Sequence, residues 1–277
     1  SGGSMHWYAR GEVAKVHPGE EIYYRLTLYN YSDTYIEKAK LVDIFPCEND
    51  TYVLSRNETR GTDIPFGDGY EDMKLLDASA DGGASVTWYS TLHNWSNGRN
   101  ASEETDILQP LYYKTSDWSH GWSKGIAADA TALGMEIDFT NGGTSDGLKA
   151  SGSFQIVLTM KTPGYTADKI GEYYGRYMDN SAAVGVVKKG ASNAVTEISL
   201  ADRTEPNKVR ATMELPTGAI GDYVWFDEDL DGVQDENEAP VDGMTVELWR
   251  TRHYEFNGSV RHITEKVAQT QTDQNGK

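Results

Sequence analysis

Short apolar alternations dominate the chain. Glu21 to Asn30 (EIYYRLTLYN) sets Ile22, Tyr24, Leu26 and Leu28 against Glu21, Tyr23, Arg25 and Thr27. Lys40 to Phe45, Ser85 to Tyr89, Met135 to Phe139, Phe154 to Met160, Ala182 to Val187 and Met244 to Trp249 repeat the pattern. A period of two with β-branched and aromatic residues predicts half-buried strands. Turn signals separate them: Pro18-Gly19, Asp68-Gly69, Asp81-Gly82-Gly83, Asn141-Gly142-Gly143 and Pro163-Gly164. Helical spacing is confined to Ala127 to Leu133 and Thr166 to Tyr174. Many short strands with glycine-rich turns predict an all-β chain of antiparallel sandwiches.

Two stretches break the rhythm. Residues 89–124 hold Trp95, Trp118 and Trp122 among many Ser, Asn and Thr, and read as a long excursion between strands. Loops of that length in a compact domain are commonly functional. Residues 190–210 are polar and contain Pro206, and a new strand pattern starts near Val209. The boundary falls near 205, giving a first sandwich over 6–205 and a second over 206–277. Ser1 to Met5 (SGGSM) reads as a cloning remnant. The second unit ends on Asn275-Gly276, a turn signal after which a strand is expected, so this sandwich reads as truncated.

Composition narrows the function. The chain has 277 residues, with 43 acids against 25 Lys plus Arg, a net charge of −18. Nucleic-acid binding needs a basic face, so nucleic acid is an unsuitable partner. No apolar run reaches the ~18–20 residues of a membrane span, so no membrane insertion is expected of this stretch. With 38% apolar and 11% aromatic residues the chain can build a core. Cys47 is the sole cysteine, so no intrachain disulfide is available. The six histidines show no metal-ligand spacing, and no G-x-S-x-G, phosphate loop or H-E-x-x-H occurs. No enzyme activity is expected, and the chain is expected to be monomeric.

Residues 227–238 (DEDLDGVQDENE) satisfy the calcium-loop pattern D-x-[DN]-x-[DN]-G-x5-E. Asp227, Asp229, Asp231, Asp235 and Glu238 take positions 1, 3, 5, 9 and 12, and Gly232 takes position 6. Ca²⁺ takes about 6–8 hard oxygens, and alternate residues of a tight loop can point inward together. Val233 would supply its carbonyl. The alternative is a solvated acidic turn, but seven acids without a base in twelve residues repel one another when no cation is present. Strand-like flanks replace the helices of an EF-hand. Asp273 and Asn275 either add ligands or form an ordinary Asn-Gly turn.

Ile220 to Leu248 (IGDYVWFDEDLDGVQDENEAPVDGMTVEL), followed by Thr272 to Lys277 (TDQNGK), resembles the B-type repeat of Gram-positive serine-aspartate repeat adhesins. The resemblance implies a calcium-stiffened β-sandwich stalk module. It places Asp227, Asp229, Asp231, Asp235 and Glu238 on calcium-binding positions. Val16 to Asn30 (VHPGEEIYYRLTLYN), Ala39 to Pro46 (AKLVDIFP) and Gly152 to Pro163 (GSFQIVLTMKTP) resemble a second repeat class of Gram-positive surface proteins, with an Ig-like sandwich. Pilin relatives of that fold form a Lys–Asn isopeptide bond, catalysed by a buried acid. The resemblance nominates Lys15, Asp43 and Asn180 for this, against a reading in which Lys15 is a surface residue.

Together these features predict two Ig-like sandwiches in tandem from a surface protein that is extracellular and, at full length, anchored to the cell wall. Calcium would rigidify the second. The alternatives are recognition of a host extracellular protein or glycan through Trp95, Trp118 and Trp122, or an accessory module of a secreted carbohydrate-active enzyme. Aromatic faces stack on sugars and anchor protein partners, although such residues also cover a core beneath loops.

Overall fold

A computed structural model describes residues 7–9, 11–55, 57–65, 73–95, 106–115, 117–141, 146–164, 170–191, 197–214, 221, 223–230, 232–256 and 259–277. Residues 1–5 and Asp231 lie outside the described residues. The chain divides into two units, residues 1–216 and 217–277.

The first unit is built from strands β1 (Val13–Val16), β2 (Glu21–Tyr29), β3 (Ile36–Ile44), β4 (Lys74–Ala80), β5 (Ser85–Thr91), β6 (Ser123–Lys124), β7 (Ala132–Asp138), β8 (Ser153–Lys161), β9 (Tyr177–Asn180), β10 (Ala182–Lys188), β11 (Arg203–Thr204) and β12 (Val209–Met213). Six strands form one sheet in the order β11-β10-β3-β7-β5-β6. Two three-stranded sheets, β2-β8-β4 and β1-β12-β9, complete the unit. The β2–β8 ladder keeps one register for nine residues, from Glu21↔Lys161 to Tyr29↔Ser153.

The alternation of side chains explains the layers. On β8, Phe154, Ile156, Leu158 and Met160 are buried while the residues between them are not. They meet Ala39, Leu41, Leu133, Met135, Ile137 and Val184 from the six-stranded sheet in one core. The intervening residues of that sheet (Val42, Ile44, Ala132 and Ala183) face the other way into a second core. The six-stranded sheet is therefore covered on both faces. This is why β3 shows almost continuous burial where a one-sided strand would alternate.

Three expectations change. The boundary near 205 moves beyond β12, because β12 pairs in parallel with β1 (Val13↔Arg210 to Val16↔Met213) and antiparallel with β9. The strand signal at Val209 closes the first unit and does not open the next. The helix over 127–133 is absent: Ala130 N–H donates to Ala127 O in a single turn, and Ala132 and Leu133 already belong to β7. Of the 166–174 segment, the helix α1 (Ile170–Tyr173) is described, and residues 166–169 lie outside the described residues.

The second unit contains β13 (Thr245–Phe256) and β14 (Ser259–Gln271), one antiparallel hairpin whose register skips at Val267. Among its described residues this is the sole sheet, where the sequence pattern predicts a sandwich. Val246, Leu248 and Trp249 on β13 are 41%, 41% and 54% exposed.

Candidate functional site

The acidic loop hangs from a short β-bridge. Trp225 pairs with Pro240, Phe226 N–H donates to Ala239 O, and Val241 N–H donates to Val224 O at 2.9 Å. At its base the Thr272 hydroxyl donates to Val241 O at 2.6 Å and accepts from Met244 N–H. Within the loop, Asp227 accepts from Leu230 N–H at 2.7 Å and from Gly232 N–H at 3.0 Å. Gly232 has φ +77°, a conformation glycine adopts without a Cβ penalty, which fits its place at the sharp turn. Glu238 is 8% exposed, and its two carboxylate oxygens accept from Glu228 N–H and Asp235 N–H at 2.9 and 3.0 Å.

This folding brings carboxylate oxygens of Asp227, Asp229 and Glu238 within 4.8 Å of one another. Three convergent hard oxygens are the donor chemistry that Ca²⁺ takes, so these residues fit such an ion. Asp235 and Val233 lie on the same loop but are exposed, and Asp235 does not share the three-carboxylate group. Asp273 closes the C-terminal turn instead. It accepts from Asn275 N–H at 2.9 Å and Lys277 N–H at 3.1 Å, and those bonds hold its carboxyl below the usual carboxylate range. Asp273 does not join the three carboxylates.

Of the isopeptide candidates, two are brought together and one is not. Asn180 Nδ2 donates to Asp43 Oδ2 at 3.3 Å, and both residues are buried. Lys15 is elsewhere, 66% exposed at its side chain and paired with Glu214 at 2.7 Å, which raises its pKa. It sits on an outer strand and pairs across to Thr212. Lys15 thus pairs with Glu214, and the structure does not bring it to the Asn180–Asp43 pair. Arg60 stands at the amide instead: its guanidinium donates to Asn180 Oδ1 at 3.1 Å and to Asp50 Oδ2 at 2.6 Å, fully buried. Burial pushes the Asp43 carboxyl up to about 7, against the lowering effect of Arg60 and of the Asn180 hydrogen bond. Arg60 has no signature in sequence, since it sits in a polar stretch outside any strand.

The tryptophan surface is also corrected. Trp95, Trp118 and Trp122 are 4%, 7% and 7% exposed and form the second core. Trp118 stacks on Tyr89 at 4.5 Å and meets Trp122 edge-on at 5.2 Å. Trp122 Nε1 donates to Ile107 O at 2.8 Å. The described part of the excursion covers the outer face of the six-stranded sheet, and Trp95, Trp118 and Trp122 are consumed by that covering. Beneath it Lys40 is fully buried, donating to Tyr113 O at 2.6 Å, and burial lowers its pKa to about 8.

Residues 218–277 match the family model of the SdrD B-like domain. The chain is 27% identical over 137 residues to serine-aspartate repeat-containing protein F of Staphylococcus epidermidis, covering 46% of this chain and 7% of that protein. It is 36% identical over 90 residues to serine-aspartate repeat-containing protein I of Staphylococcus saprophyticus, covering 32% and 4%. The chain thus spans a small part of the length of these relatives. Among solved structures, it is similar to the group B streptococcus pilus 2b backbone protein (TM-score 0.30, 13% identity, 96% of this chain and 76% of that one). It is also similar to the collagen-binding subdomain of the Enterococcus faecalis surface protein ACE (TM-score 0.26, 11% identity, 73% and 93%). The described residues are nearly all strand and loop, and the match to the SdrD B-like domain falls on the stretch that holds the Ile220 to Leu248 motif. Among the described residues no helix is long and apolar enough to cross a membrane.

Proposed function

We propose that this chain is part of a Gram-positive surface adhesin or stalk protein whose acidic loop is stiffened by calcium. The convergence of Asp227, Asp229 and Glu238 within 4.8 Å, inside the segment matched to the SdrD B-like domain, carries the reading. The role is mechanical. Asp227 and Glu238 stand at the two ends of the loop, and an ion held between them would tie its start to its end. Asp229, Asp231 and the Val233 carbonyl would complete the ligand set. At extracellular-module affinities, on the order of 10⁻⁴–10⁻³ M, such a site fills outside a cell and stays empty in cytosol. The full-length protein would be extracellular and anchored to the cell wall, with a host extracellular protein or glycan as partner.

Thermal unfolding in calcium and in EDTA tests this. An ion that binds only the folded loop raises stability by mass action, by ~2.7 kcal/mol at a hundredfold excess over Kd. The wild type should melt higher in calcium, and Asp229→Ala/Asp231→Ala should melt alike in both. A wild type indifferent to calcium would sink the proposal.

A further inference from the structure

The first and last strands of the first unit meet in one sheet. β1 and β12 pair in parallel, from Val13↔Arg210 to Val16↔Met213. β12 is the central strand of three, with β1 on one side and β9 on the other. One face of this sheet is dry: Val16, Met178, Ala211 and Met213 are buried in the core shared with β8. Water is thereby kept from competing for the ladder bonds on that side. The direction of pairing decides how the strands answer a pull. The chain enters β1 at Val13 and leaves β12 at Met213, and these residues lie at opposite ends of the parallel pair. Tension along the chain draws β1 and β12 past each other along their own axes, so that all bonds between them are loaded at once. In an antiparallel pair the two ends would lie side by side, and the bonds would break one after another.

Both strands are also tied outside the ladder. Glu214 N–H donates to Val16 O at 2.7 Å, and the Lys15 amine meets the Glu214 carboxylate at 2.7 Å. On the other side of β12, Met213 N–H donates to Arg176 O and Gly175 N–H to Met213 O. Arg210 and Lys208 both reach Asp179 on β9 at 2.7 Å, and the Asp179 side chain is fully buried. β9 leads through Ser181 into β10 of the six-stranded sheet, and Arg60 donates to Asn180 Oδ1 and Ser181 O at that junction. β12 is thus fastened to the body of the unit, and β1 is the strand that must slide. Since Val16 O accepts from Glu214 N–H, the alternation of a parallel ladder turns the backbone groups of Ala14 and Val16 toward β12 and those of Val13 and Lys15 away from it.

We propose that the first unit is a shear clamp, in which the hydrogen-bonded β1–β12 pair holds tension passed along the chain. Survival under force is set by the rate of unfolding and not by equilibrium stability, so the direction in which the bonds are loaded matters more than their number. The use of such a clamp in a surface protein rests on the stalk reading above, whereas the response of the unit to force does not. The clamp belongs to the first unit and needs no ion.

The test is constant-force spectroscopy of the whole chain in EDTA, in two geometries. Held at its N and C termini, the chain loads the clamp in shear. Unravelling the first unit then releases on the order of 70 nm at ~3.5 Å per residue, which sets it apart from the shorter second unit. Held at the N terminus and at an azide-bearing residue in place of Asn207, which is exposed just before β12, the same clamp is peeled from one end. The first unit should survive more than about tenfold longer in shear than in peeling (about 1.4 kcal/mol). Ala14→Pro, which removes one N–H from the ladder, should shorten the lifetime in shear roughly fivefold (about 1 kcal/mol). Val13→Pro, whose lost N–H points away from β12, should shorten it much less. Equal lifetimes in the two geometries overturn the proposal, whether or not Ala14→Pro folds. So does an Ala14→Pro lifetime equal to wild type, or a loss in Val13→Pro as large as that in Ala14→Pro. In millimolar calcium the first unit's lifetime should be unchanged, and the calcium loop is judged on the shorter event alone, so the two readings fail separately.

Discussion

Arg60 is held away from water by four residues of the first unit. It reaches Asp50 in its own connection, Asn180 on β9, the Ser181 carbonyl and the Phe45 carbonyl. A buried guanidinium is costly unless compensated, and here the compensation is a carboxylate at 2.6 Å. Arg60→Met would leave Asp50 as an uncompensated buried charge and should cost ~3–5 kcal/mol in urea unfolding, with Arg60→Met/Asp50→Leu recovering much of the loss. A double variant as unstable as the single one would show that the cost lies in packing. Asp43 offers a pH test. Its folded pKa, about 7, lies above the ordinary carboxylate value, so the native state binds the extra proton. Stability is therefore greatest below the unfolded pKa of ~3.9 as far as this group is concerned, falls as pH rises toward 7, and is flat beyond. Asp138 and Asp202, whose pKa values are lowered, act in the opposite sense but only under acid conditions. Asp43→Asn should thus abolish the decline between pH 4.5 and 7.5. An identical slope in wild type and variant would mean that Asp43 is ionised throughout.

Among the elements, the two-sided sheet decides what sequence could reveal. β2 and β8 are legible as strict alternations because one face of each is buried. β3 and β10 are legible as strands, but the destination of their second face is not. The reason is visible at Gly134: a Cβ there would lie 2.2 Å from Trp118 Cζ3. Trp118 is distant in sequence, and the local pattern around Ala132 to Asp138 gives no hint of it. Tryptophans in a polar, glycine-containing excursion therefore read as a surface, and only tertiary packing makes them core. The same blindness hides Arg60, whose partners are supplied by β9 and by the chain after β3. The calcium loop is the opposite case, since nearly all its geometry is local: Gly232 and the spacing of acids are contiguous in sequence. Gly134→Ala should force Trp118 out of place and cost ~1–3 kcal/mol or more as an overpacked core. Trp118→Ala should cost ~3–5 kcal/mol through the cavity it leaves. Both are read by urea unfolding, with near-ultraviolet circular dichroism reporting the Trp118–Tyr89 stack. Wild-type stability in either variant would return the excursion to the status of a loose loop.

For the whole molecule the issue is how an acidic chain uses its charge. Seven of its 43 acids fall within residues 227–238, so any cation relieves some repulsion there. Screening and coordination can be separated. Sodium chloride at ~1 M shortens the Debye length to about 3 Å and would quiet the repulsion without occupying a site. Coordination by Asp227, Asp229 and Glu238 instead requires an ion that accepts many oxygens in an irregular cage, which favours Ca²⁺ over the smaller Mg²⁺. Amide hydrogen exchange resolves the two by location. Under coordination, millimolar calcium slows exchange at Glu228, Leu230, Gly232 and Asp235, whose N–H groups donate to Asp227 or Glu238. The β2–β8 ladder, which belongs to the other unit, should exchange at an unchanged rate. Magnesium should do less at equal concentration, and sodium chloride should leave those four amides unprotected. If sodium chloride protects them as well as calcium does, the loop is an acidic turn relieved by screening, and the calcium-stiffened stalk falls with it.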